Sequence, residues 1–165
     1  MKIFGKPLSE YIAFAKVFMI LIFVAGVTRL ALSLNGVPNE TTRWFTMTGL
    51  AWIGVFYFSI RVHTTGFGSY KQLLVIFALV NWTAQAIAIT AIVIAMATGT
   101  NNVFSSPEFA FGQDGKTWSH LLAHIFIGTT AGTLLPWAIG SGILAITRRI
   151  TRKTEDFNAP SVERS

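Results

Sequence analysis

Apolar and polar positions fall into long blocks along the chain. Four runs poor in charge, residues 11–34, 44–62, 72–98 and 117–147, are separated by stretches rich in Gly, Asn, Pro and charged side chains. At about 1.5 Å per residue the first run is ~36 Å long, enough to cross a hydrocarbon core of roughly 30 Å. The pattern therefore predicts an all-α integral membrane protein, a four-transmembrane-helix antiparallel bundle. Lys16 and Arg29 lie near the two ends of the first run, where long basic side chains can reach the headgroups.

The connections support this division. Asn35-Gly-Val-Pro-Asn39 has turn chemistry, and Asn39-Glu-Thr41 fits the glycosylation sequon, which has meaning only for a secreted loop in a source that glycosylates. The polar stretch 64–70 is short, so the second and third helices are expected to be antiparallel neighbours. Residues 99–116 form one long loop, in which Ser106-Pro107-Glu108 followed by Phe109 and Phe111 has the start of a short interfacial helix. Thr117 is the expected N-cap of the fourth span. Residues 1–147 then make one transmembrane domain and 148–165 a basic, then polar, tail whose end from Asn158 onward is expected to be disordered.

Composition agrees with a bilayer: 52% of residues are hydrophobic and 12% charged, against about 25% charged in soluble domains. Cysteine is absent, which excludes disulfides, thiolate metal sites, iron–sulfur clusters and thiol nucleophiles. The net charge of +6 sits beside the apolar runs and in the tail, as in membrane flanks, so no nucleic-acid partner is expected. Of the 13 basic residues, Lys2, Lys6, Lys16, Arg61, Lys71, Arg148, Arg149, Arg152, Lys153 and Arg164 fall on one side, and Arg29, Arg43 and Lys116 on the other. The positive-inside rule then predicts a multi-pass plasma (inner) membrane protein with both termini cytoplasmic. Arg148, Arg149, Arg152 and Lys153 are the expected lipid anchor. The competing reading of the first run is a signal peptide cleaved after Ala31-Leu-Ser33, against which Arg29 and the charge balance of the later loops weigh.

Candidate chemistry concentrates in the fourth run. Read every fourth residue, one helix face carries His120, His124, Gly128, Gly132, Pro136 and Gly140, and the other helices are expected to pack around it. Four-residue spacing lets two imidazoles serve one metal ion, with Glu108, Asp114 or Glu40 as the further ligand. Residue 121 is Leu, so the metalloprotease pattern fails. Two imidazoles on one face also cannot sandwich a haem iron without a second chain. Gly128, Gly132 and Gly140 mark close helix packing, and Pro136 is expected to kink the helix. Asn81 and Gln85 share a face near the middle of the third run and must turn inward, at the depth of Gly132 and Gly128. A polar track from His120 through His124 and Gln85 to Asn81 follows if the two helices meet on those faces.

These patterns carry no catalytic constellation. The leading expectation is a non-catalytic accessory or structural subunit without a cofactor, packing with lipids and with copies of itself or a larger membrane complex. The first alternative is a redox protein binding a divalent metal, haem or quinone through His120 and His124. The second is an oligomeric channel or transporter lined by Asn81 and Gln85.

Overall fold

The computed structural model describes residues 2–43, 46–110 and 112–158, without the side chains of Phe109 and 155–158. It is mostly helical, and four helices are long and apolar enough to span a membrane. These are α1 (Leu8–Leu34), α3 (Met47–Thr64), α4 (Tyr70–Thr98) and a fourth helix built in sections. The sections are α5 (Trp118–Ala123), a π turn (His124–Gly128) and α6 (Thr129–Asn158). Between α1 and α3 lies a single turn, α2 (Asn39–Thr42). The long loop holds two 3-10 turns, Val103–Ser105 and Pro107–Phe109, where the sequence suggested one interfacial helix. Trp44, Phe45, Phe111 and the polar end 159–165 lie outside the described residues.

Helix ends follow local chemistry. Thr117 Oγ1 accepts from His120 N–H at the N-terminus of α5, and Thr46 does the same for Gly49 at α3. Ser69 and Gln72 form a reciprocal capping box at α4, whose other end stops at Gly99 with φ +70°. Ahead of α1 the chain makes an unforeseen hairpin of β1 (Lys2–Ile3) and β2 (Lys6–Pro7), turning on Phe4 and Gly5 at φ 47° and 89°. Tyr11 Oη donates to Ile3 O at 2.8 Å and Gln72 Nε2 to Phe4 O at 2.9 Å, which ties the hairpin to α1 and α4.

α3 and α4 form the centre, each packing on the other three long helices, while α1 and α6 flank them. The axis is therefore not the histidine-bearing face, as the sequence suggested. α4 buries residues from Leu73 to Ala95 on a broad stripe, whereas the α5–α6 stretch buries little of its surface within the chain. Gly128, Gly132 and Gly140 lie on α4: a Cβ on them would come 2.8 Å from Gln85 Oε1, 2.6 Å from Asn81 Oδ1 and 2.7 Å from the Phe77 ring. Helix α6 runs on through Pro136, and the departure from α geometry lies earlier, at His124–Gly128.

The two ends of the bundle differ. At the terminal end, Tyr11, Phe58, Leu73, Phe77 and Leu144 close a dense core, with Phe14 stacked on Phe67 at 4.1 Å between ring centres. The far part of α6 meets the α3–α4 connection there: Arg148 Nη2 donates to Gly68 O at 3.4 Å, and His63 Nε2 lies 3.2 Å from Thr151 Oγ1. At the loop end, Asn102 Nδ2 donates to Ala91 O at 2.8 Å and Val103 N–H to Ser33 Oγ at 2.8 Å, fastening the long loop over α4 and α1.

Gly140 and Gly142 separate packing from helix propensity. A Cβ at Gly140 meets Phe77 and Ser59 at 2.7 Å, whereas nothing lies within 4 Å of one at Gly142. Gly140→Ala is expected to destabilise the protein by about 1–3 kcal/mol through overpacking. Gly142→Ala is expected to be neutral or to gain up to about 1 kcal/mol. Unfolding of the two variants in detergent checks the contrast.

Candidate functional site

A cavity of about 470 Å³ opens between α1, α3, α4, α6 and the long loop. Its wall is mostly apolar, but Arg29, Asn81, Gln85 and His124 converge on it from three helices, alongside Trp52 and Phe104. The sequence marked Asn81, Gln85 and His124 as candidates and gave Arg29 only a headgroup contact. Trp52 and Phe104 were missed, although Asn102 and Ser105 carry the spacing of the capping box that folds Phe104 over the bundle.

The polar side chains form a chain of hydrogen bonds between α4 and α6. His124 Nδ1 lies 2.8 Å from Gln85 Oε1, and Gln85 Nε2 donates to Asn81 Oδ1 at 3.4 Å. Asn81 Nδ2 in turn donates to Gly128 O, Thr129 O and Thr133 Oγ1, each at 3.1 Å. Its two protons are therefore shared among three acceptors on α6 and the π turn.

The π turn belongs to the same arrangement. Thr129 N–H reaches back five residues to His124 O, which denies Ile125 O its usual backbone donor. The Thr129 hydroxyl supplies it, donating to Ile125 O. His124 O and Ile125 O thus each keep a hydrogen-bond partner, one from the backbone and one from a side chain.

His120 is engaged differently. Its Nε2 lies 3.2 Å from Phe104 O, and its ring stands edge-on to that of His124 with centres 4.9 Å apart. The two histidines and two amides are thus brought together, but the carboxylates are not. Glu108 accepts from Asn39 Nδ2 at 2.8 Å, and Asp114 accepts from Lys116 N–H at 2.9 Å. Among the described residues no group of three or more His, Asp or Glu is placed to hold a metal ion. Rings on adjacent turns of one helix also cannot take opposite faces of one haem.

Arg29 closes the opposite wall. Its Nη2 donates to Asn39 Oδ1 at 2.7 Å, so Asn39 links the guanidinium to Glu108. The expected lipid anchor is an extension of the α6 helix: Arg149, Arg152 and Lys153 are exposed, and Arg148 lies over the Tyr70 ring at 4.9 Å. Comparison with protein-family models, curated proteins and solved structures gives no match.

Replacing Asn81 with Leu leaves the carbonyls of Gly128 and Thr129 without their donor from α4. The expected loss is about 1–3 kcal/mol of unfolding free energy. Thermal unfolding of Asn81→Leu in detergent measures it, and a change of only a few tenths would contradict this role.

Proposed function

We propose that this chain crosses a lipid bilayer four times, with both ends on the cytoplasmic side, and binds a small bilayer-soluble molecule with a hydrogen-bonding head. The outward faces support the membrane setting. Ile53, Phe126, Ile127 and Trp118 are 60%, 65%, 67% and 70% exposed, in a belt that water would not tolerate but lipid tails match. The terminal end gathers Lys2, Lys6, Arg61, Lys71 and the α6 cluster, which supports an inward orientation in a plasma or inner membrane.

One observation carries the binding function: a cation, two amides and an imidazole converge on a single apolar-walled cavity of about 470 Å³. That volume and mixture suit a small ligand whose body is apolar and whose head is polar. The channel alternative loses support because Asn81 commits its amide protons to acceptors on the fourth helix of its own chain. Of the redox alternatives, a quinone-type molecule is the class the cavity favours, because among the described residues no group of three or more His, Asp or Glu is placed to hold a metal ion and the two histidines share one helix face.

Trp52 lines the cavity and reports on it. Decylubiquinone added to protein in nanodiscs is expected to quench tryptophan emission saturably, and Trp52→Phe to remove most of the saturable part. Ala131→Phe, which fills the cavity from an exposed position on α6, is expected to weaken binding at least about tenfold, a difference of 1.4 kcal/mol. Non-saturable quenching that is the same in all three proteins would refute the site.

A further inference from the structure

We infer that the cavity selects a ligand whose head offers a hydroxyl proton, the hydroquinone rather than the quinone form of a bilayer-soluble ring. This rests on the binding function proposed above and on the direction of the hydrogen-bond chain. Backbone carbonyls only accept, so the Asn81 atom between Gly128 O and Thr129 O is the amino nitrogen. Its Oδ1 therefore faces Gln85 Nε2, and the carbonyl end of Gln85 faces His124. Gln85 Oε1 also only accepts, so the proton in the 2.8 Å contact sits on His124 Nδ1.

A neutral His124 ring with its proton on Nδ1 has a bare lone pair at Nε2, and among the described residues Nε2 makes no hydrogen bond. His120 has the opposite tautomer when neutral, because its Nε2 must donate to Phe104 O. The backbone of α6 thus sets, through two amides, which nitrogen His124 presents to a ligand. That nitrogen accepts. Gln85 Nε2 keeps a second proton beyond its bond to Asn81. A head matched to these walls gives a proton to His124 and takes a hydrogen bond from Gln85. A hydroquinone does both, whereas a quinone only accepts and leaves the His124 lone pair without a partner.

Three probes with one ring and tail separate these terms: decylubiquinol, decylubiquinone and the dimethyl ether of decylubiquinol. Binding followed by tryptophan quenching is expected to be at least about tenfold tighter for the quinol than for either other form. His124→Phe removes both ring nitrogens and the accepting lone pair with them. It is expected to erase the quinol preference, so that the three probes bind within about twofold of one another. Nitrogen-15 spectra of histidine-labelled ligand-free protein test the tautomer directly and should show neutral His124 protonated at Nδ1.

Equal binding of the three probes, or a neutral His124 protonated at Nε2, overturns this inference and leaves the cavity as a binding site. Absence of saturable binding by all three removes the cavity function and the inference with it.

Discussion

A polar group enclosed among apolar helices must find a partner, and that demand organises this protein. Asn81 sits mid-helix on α4, and its amide is satisfied by two backbone carbonyls and a hydroxyl across the interface. The glycines of the facing helix make the approach possible, since a Cβ at Gly132 would lie 2.6 Å from Asn81 Oδ1. Close packing and hydrogen bonding are therefore one constraint here. Within lipid, where apolar surface gives helices little reason to associate, such contacts carry a large share of the specificity of pairing.

The division of the bundle follows from where that constraint acts. Toward the terminal end α1, α3, α4 and α6 interlock through Tyr11, Phe58, Phe77 and Leu144, with aromatic rings filling the space. Toward the loop end the small side chains Ala84, Ala88, Ala131 and Gly132 face a gap they do not fill. Polar groups line it instead, and the loop carrying Val103 and Phe104 folds over it through Asn102. A densely packed half thus supports an open one, and His124 stands on the π turn that joins α5 to α6.

Much of the fold was legible because four helices long and apolar enough to span a membrane leave a coarse signature: long uncharged runs, polar turns, and a Thr117 cap placed where the fourth helix begins. The depth match of Asn81 with Gly132 and of Gln85 with Gly128 also follows from counting antiparallel turns. The π turn was not legible, since one added residue per turn leaves no mark in a pattern that tolerates both. Neither was the central place of α3 and α4, which depends on how broad a stripe each helix buries. The hairpin at Phe4-Gly5 needs positive φ at a phenylalanine, which no propensity suggests. Arg29 read as a basic residue near the end of the first apolar run, and only the tertiary structure puts it on the same cavity as His124.

The account stands or falls on the contact between Gln85 and His124, the link through which the α4 amides reach the cavity. A double-mutant cycle with Gln85→Leu, His124→Leu and the pair, read by reversible unfolding in bicelles, measures it most directly. The two residues should couple by about 0.6–1.7 kcal/mol, as interhelical hydrogen bonds in membranes do. Additive losses, with no coupling beyond a few tenths of a kcal/mol, would mean that the two side chains act independently and that the polar chain does not exist.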